Sequence, residues 1–500
     1  MKRWMLLVTV LIIASLLLVA CPKPTPEKIV ETVVVTKEVE KVVTKEVEKV
    51  VTKEVEKVVT KVVEVEKKPE LQVVKLTAWT IGPDEPSFYR RDNLIDAAKR
   101  LNKDLEALGS NVRVELEATF DTGSWGDYKQ KFILAAQAGK APDIILSGHE
   151  DVAPWGDAGY IIPLDDYIQE YWESTYQDII PALWRSVEYK GHKWGIPQDT
   201  EARPMYFSKL LLRKWGWSED EINALPEKVK AGDFTLYDML ETAKKAQDDG
   251  IVEQGHGYWT RPKKGGDFYE FYFAFGGQMQ DPETGKLVVV KDALRKWLQF
   301  HYDTVFTYKT TPEGFIGTDW KIWHETVSHA DKVLFWNGGT WHWAEWTQKY
   351  LDGNEDYLWE NVGFMLIPAG EKGLKPTTLS HPLVYMVTKN SKHPDLAFRI
   401  ITLATTPDLN ARHATNSGHL AILQSEFNHP AYKANKFLQQ AAYMVEYTNF
   451  QPNSPDYGEY DRIMWQALSA VMAGDMSVDD AVAFVEDEMQ NSLGDKVIFK

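Results

Sequence analysis

Cysteine is almost absent from this chain: Cys21 is the only one in 500 residues. One thiol excludes an internal disulfide and a thiolate metal cluster. The sequence contains no GxGxxG, no P-loop and no GxSxG, so it lacks the local marks of dinucleotide binding, phosphate cradling and a nucleophile elbow. His324 and His329 stand five residues apart, about 140° around a helix, whereas a zinc helix needs a spacing of four. Carboxylate pairs are plentiful, but no spacing singles out a glycosidase dyad. No pattern calls for a cofactor or a metal. Excess positive charge is missing too, since the net charge is −17. Residues 1–70 carry slightly more basic than acidic groups, so the excess of acid lies in the rest. Such a body is a poor partner for nucleic acid or an anionic membrane surface.

Long apolar runs are limited to one, Met5 to Ala20, which comes after Lys2 and Arg3. The basic start, the length and the small residue at its end read as a signal peptide over 1–20. The run ends Leu18-Val19-Ala20-Cys21, which resembles the bacterial lipobox. That resemblance implies that Cys21 is acylated and becomes the first residue after cleavage. VVTKEVEK then occurs at 34–41, 42–49 and 50–57, with a degenerate copy at 58–65. A period of eight drifts around a helix and builds no fixed apolar seam. Residues 21–70 therefore read as an anchored spacer, with a coil dimension of about 40 Å.

The chain beyond the spacer is long enough for two lobes. Val74 to Thr80 reads as a strand, Ser87 to Leu108 as a helix and Val112 to Thr119 as a strand. Asp127 to Ala138 reads as a helix closed at Gly139, and Ile144 to Leu146 as a short buried strand. That alternation marks parallel α/β architecture. Further on, Leu210–Trp215 and Thr235–Gln247 are predicted helices, the second opened by a Thr235/Asp238 capping box. Val333–Trp336, Val362–Ile367 and Leu383–Thr388 are predicted strands; Thr340–Tyr350 and Pro394–Thr405 are predicted helices. The chain is mostly helical from Tyr457, and Ser477 opens the last helix.

Between the two units lies Gly191 to Lys209. Pro197 and Pro204 disfavour helix there, and Gln198, Asp199, Thr200, Glu201 and Arg203 make it unusually polar. Extended backbone with such side chains suits a cleft wall or a crossover between lobes. Aromatic and polar residues also share the predicted loops after strands, where ligands bind in open α/β sheets. Trp79 precedes Asp84 and Glu85; Ile144–Leu146 leads to Ser147, His149 and Glu150; Trp259 precedes Arg261; Trp336 leads to Asn337 and Trp341. Aromatic faces beside hydrogen-bonding groups suit a sugar, whose C–H faces stack and whose hydroxyls pair with carboxylates and amides.

Segments 139–168, 191–209, 333–343, 391–407, 414–422 and 473–489, in that order and spacing, resemble family 1 extracellular solute-binding proteins of the maltose-binding group. The resemblance spans roughly 72–500. It implies a type II periplasmic-binding-protein fold: two α/β lobes, with 71–197 and 383–420 in one and 198–382 and 421–500 in the other. Crossovers are expected at Gly195–Arg203, about 380–386 and about 417–423. It implies that Glu201, His149 and Glu150 contact a ligand and that Trp341 and Tyr460 lie in aromatic subsites. From the loop pattern above, Asn337 is expected to hydrogen-bond the ligand and Trp79 and Trp259 to stack on it, although the Trp259 loop differs in length from the family's. Ser147 stands where maltose binders carry an aromatic, so a carbohydrate is implied but not maltose itself. The implied partners are that sugar, the permease of an ABC importer, and a membrane held through Cys21, at the outer face of the bacterial cytoplasmic membrane. No chemistry is expected of it. A lipid-anchored carbohydrate-active enzyme and a stalked adhesin are the alternative classes.

Overall fold

Among the described residues, the two larger sheets, each with its own core, organise the fold. The computed structural model describes residues 70–82 and 85–500; the leader, Cys21 and the repeats lie outside the described residues. The first sheet has the strand order Val112–Asp121, Gln72–Ile81, Ile144–Gly148, Leu383–Val387, Ile196–Pro197. Gln72–Ile81 runs parallel to Ile144–Gly148, with Ala78 opposite Ile144. Leu383–Val387 returns antiparallel to Ile144–Gly148, with Leu383 opposite Gly148. All five residues of Ile144–Gly148 are buried, as a central strand covered on both faces must be. The helix Tyr89–Ala107 packs against the helix Pro394–Ala404. Leu94, Leu101, Phe398 and Ile401 join the strand residues in this core.

The second sheet has the order Val362–Met365, Met205–Ser208, Phe335–Asn337, Tyr258–Trp259. Phe335 pairs antiparallel with Phe207 and parallel with Tyr258. Its core is aromatic: Trp297, Trp323, Trp336 and Trp346 are fully buried. Helices Leu236–Asp248, Lys291–Tyr302, Tyr457–Ala473 and Val478–Leu493 enclose it. The Thr235/Asp238 capping box is present, and Ser477 caps the last helix through Asp480 N. Thr340–Tyr350 is not one regular helix. It is α-helical over Trp341–Glu345 and widens to a π-helix over Trp346–Tyr350. Helices at Glu219–Ala231, Lys291–Tyr302, Trp320–Ser328 and Pro407–Ser417 add to those the sequence suggests.

The chain crosses between the cores more than once. Ile196 belongs to the first and Ala202 to the second; Leu379 belongs to the second and Leu383 to the first; Leu420 belongs to the second and Ile422 to the first. These crossings are tied together. Thr200 bridges Leu420, its hydroxyl lies 2.6 Å from Ser380 Oγ, and Arg203 N donates to Thr378 Oγ1 at 2.7 Å. The polar run between the two prolines is thus consumed largely in joining crossovers.

Candidate functional site

A cleft of ≈ 700 Å³ opens where both sheets and the crossings meet. The first crossing contributes Asp199, Glu201 and Arg203, all at most 6% exposed. Arg203 is the centre of the group. Its Nη2 lies 3.2 Å from Glu201 Oε1, its Nε 3.1 Å from Asp267 Oδ1, and its guanidinium 5.3 Å from the centre of the Trp341 ring. Arg261 sits over the same ring at 5.6 Å and pairs with Asp267 at 2.5 Å. Trp341 is half-buried and stacks at 14° on His419, with ring centres 6.0 Å apart. His419 is delivered by the end of the helix Pro407–Ser417, closed at Gly418 with φ 73°. A Cβ at Gly418 would fall 2.9 Å from Thr340 O, so glycine is needed there for both conformation and contact.

The first-sheet wall is built from Glu150, His381 and Lys129. Glu150 Oε2 lies 2.6 Å from His381 Nε2, and Glu150 Oε1 accepts from Lys129 Nζ at 2.6 Å. Lys129 also reaches Asp151 at 2.8 Å. Burial alone would raise the Glu150 carboxyl, but His381 and Lys129 hold it well below the usual range. Burial works the other way on His381, and the Glu150 carboxylate overcomes it, so its pKa is raised. Glu201 behaves differently: burial raises it, against Arg203 and His381. His381 N also donates to Glu201 Oε1 at 2.8 Å, which locks the two walls' carboxylates to one loop. Deeper, Asp199 accepts from Arg90 Nη2 at 2.8 Å and from Leu383 N at 3.1 Å, and meets His413 Nε2 at 3.1 Å. Burial raises its carboxyl, but Arg90 and the histidines overcome that and hold it far below its usual value.

Of the residues singled out in the sequence, Glu150, Glu201, Arg261 and Trp341 line this cleft. Others are placed elsewhere. Trp259 is buried, donates its indole N–H to Gly255 O at 2.7 Å and packs on Phe315. Tyr460 is fully buried, with its hydroxyl donating to Val288 O at 2.7 Å; Tyr457, one helical turn earlier, lines the cleft instead. Asn337 is consumed internally, donating to Glu270 and accepting from Tyr258. Ser147 is buried and donates to Asp151. His149 is buried just behind the wall, bonded through Nε2 to Gln451 O at 3.2 Å. Trp79 lies under Lys131 Nζ at 4.7 Å and does not line the cleft. Asp84 and the side chain of Glu85 lie outside the described residues. Trp79, Ser147, Trp259 and Asn337 belong to the strands themselves and Tyr460 to a helix, so packing within each lobe claims their side chains. Sequence reasoning missed Arg90, Trp125, Lys129, Asp267 and His381 as wall residues. Asp199 and Arg203 line the cleft as well, in keeping with their place in the polar crossover.

The profile of the bacterial extracellular solute-binding protein family matches residues 91–411. The chain belongs to that family. A maltotriose-binding protein of Pyrococcus abyssi is 22% identical over 335 residues, 66% of each chain; the match thus spans just under two thirds of that relative. Two solved structures share the fold. The GacH receptor of Streptomyces glaucescens has a TM-score of 0.66 at 17% identity, over 84% of this chain and 98% of that one. T. maritima MalE3 with maltose bound has a TM-score of 0.65 at 20% identity, over 84% and 99%. Membership makes this a binding protein whose two α/β lobes flank a cleft. Among the described residues no helix is long and apolar enough to cross a membrane.

Proposed function

We propose that this solute-binding protein captures an oligosaccharide in the cleft and hands it to the permease of an ABC importer, without chemistry. One observation carries the reading: the half-buried Trp341 lines the cleft with Arg203, Arg261 and Glu201 around it. A sugar packs its C–H groups on the part of that ring left open between His419, Arg203 and Arg261, while its hydroxyls bridge the charged groups. Trp125 and Tyr457 add aromatic surface, and Glu150 and His381 add hydrogen-bonding groups on the opposite wall. The sugars named for the relatives, maltotriose, maltose and acarbose, are of this class.

In this reading the lobes built around the two cores sample open and closed forms. A ligand that contacts both favours closure, and the permease senses it. Residues 1–20 act as a signal peptide, Cys21 carries the lipid, and 21–70 space the lobes from the outer face of the bacterial cytoplasmic membrane. A thermal-shift screen with maltose, maltotriose, mannotriose and acarbose tests the reading. A ligand at 100 times its Kd adds about 2.7 kcal/mol, so a true ligand moves the melting temperature by several degrees. No shift with any of them, or their hydrolysis in the same tubes, refutes it.

A further inference from the structure

The sequence places His149 against a ligand, yet its ring is buried. Its Nε2 faces the carbonyl of Gln451 at 3.2 Å. A carbonyl only accepts, so Nε2 carries the ring proton and Nδ1 carries the lone pair. That Nδ1 is buried and has no hydrogen-bond partner. It faces Glu150 Oε2 at 3.9 Å, and Glu150 Oε2 meets His381 Nε2 at 2.6 Å. One donor atom from each of the three residues lies within 4.8 Å of the others. Ligands about 2.0–2.2 Å from a tetrahedral ion stand roughly 3.3 Å from each other. Side-chain shifts of well under a residue's reach therefore bring the three onto one ion.

We propose that His149 Nδ1, Glu150 Oε2 and His381 Nε2 form a site for a divalent transition ion of the Zn²⁺ class, with its remaining coordination position open to the cleft. Two imidazoles and one carboxylate are the ligand set of an open zinc site. The outer partners are already in place. Gln451 O fixes the His149 tautomer, as second-shell acceptors do for metal-bound histidine. Lys129 holds the other Glu150 oxygen and is itself balanced by Asp151. The ion takes the place of the proton on His381 Nε2, which moves to Nδ1 of the neutral ring or, from the imidazolium, to solvent. The backbone ties the two histidine-bearing segments together here, as His149 N donates to Pro382 O at 3.0 Å beside the paired strands. No metal spacing is visible in the sequence, since His381 lies 231 positions from Glu150.

Two further His/carboxylate groups among the described residues fail on chemistry. His324 Nδ1 accepts from Trp346 Nε1 and His342 Nδ1 accepts from Gly339 N, so both Nε2 atoms carry protons and offer no lone pair. Asp199, beside His413 and His419, already holds the Arg90 guanidinium at 2.8 Å.

The test uses the full chain with no sugar present, so it stands apart from the sugar reading. ZnCl₂ is titrated calorimetrically, and CoCl₂ is followed by visible absorption. The expected result is one Zn²⁺ per chain and Co²⁺ ligand-field bands that Zn²⁺ displaces. His381→Gln, on a partly exposed ring, should fold as the native chain does by circular dichroism and weaken Zn²⁺ by about 100-fold or more, at the upper end of what loss of a supporting second-shell group costs. Absence of Co²⁺ bands in the native chain overturns the proposal without any variant. So does Zn²⁺ affinity that is unchanged in His381→Gln.

Discussion

The Arg203 guanidinium lies 5.3 Å over the Trp341 ring. One residue belongs to the first crossing, the other to the helix after a second-sheet strand, so the crossing and the lobe meet at a charged, aromatic surface. Arg203 is held in that pose by Glu201 and Asp267. Its position is therefore built before any ligand arrives, which lowers the ordering cost of binding.

Glu201→Gln should weaken sugar binding by about ten- to a hundredfold, the cost of losing a charged hydrogen-bond partner. Sequence alone suggests little effect on the unliganded protein. The burial of Glu201 against Arg203 and His381 N revises that. Asp267 still partners Arg203, so the loss in unfolding free energy should be about 1–3 kcal/mol. Urea denaturation of the unliganded variant measures it, and an unchanged midpoint contradicts the pairing.

His301 sits among Phe268, Phe271, Trp297 and Phe300. Neither ring nitrogen has a hydrogen-bond partner, and burial pushes its pKa down to about 3 from 6.5. The unfolded chain binds a proton there that the folded chain refuses, so stability is lost as pH falls below 6.5. His301→Phe should stabilise the protein at neutral pH by relieving an unpaired buried group, about 1–3 kcal/mol. At pH 5 the gain should grow by a further ~2 kcal/mol. Melting curves at both pH values decide it; a destabilised variant means that the cage is already full.

The Glu150–His381 pair has its own window. Glu150 is lowered, so its contribution is present above 4.5 and lost as pH falls through the folded value. His381 is raised, so its contribution is full below 6.5 and lost as pH rises through the folded value. Between those limits both are present. His381→Gln should flatten the alkaline decline in stability and leave the region above it unchanged; an identical alkaline slope in both proteins contradicts the pairing.

How much of the fold and the site is legible in sequence depends on the range of each interaction. The strand at Ile144 and the Thr235 cap are local events, signalled by an apolar run and by a Thr/Asp pair three residues apart. The polar crossover is visible because two prolines bracket it. Lys129 is not visible, because it looks like any surface lysine of a helix until Glu150 and Asp151 are brought to it. Asp199 meets Arg90 across 109 positions, a pairing no local pattern encodes. Tyr460 and Tyr457 lie on one helix one turn apart, and only packing shows which of them reaches the cleft.

Cys21→Ala should leave the chain unlipidated and separable from membranes, with sugar affinity intact. Membrane fractionation with a salt wash reads this directly. Retention of the variant on membranes counts against the anchor.

The proposed function makes Trp341 its sugar platform, and calorimetric titration of Trp341→Ala with the sugar that most stabilises the native chain tests it. The expected result is a loss of affinity of tenfold or more, since stacking and buried area go together, with a small change in unliganded stability. If Trp341 is instead a core residue, the same substitution costs about 3–5 kcal/mol of folding stability and leaves binding per folded molecule as in the native chain. That second outcome contradicts the site described here.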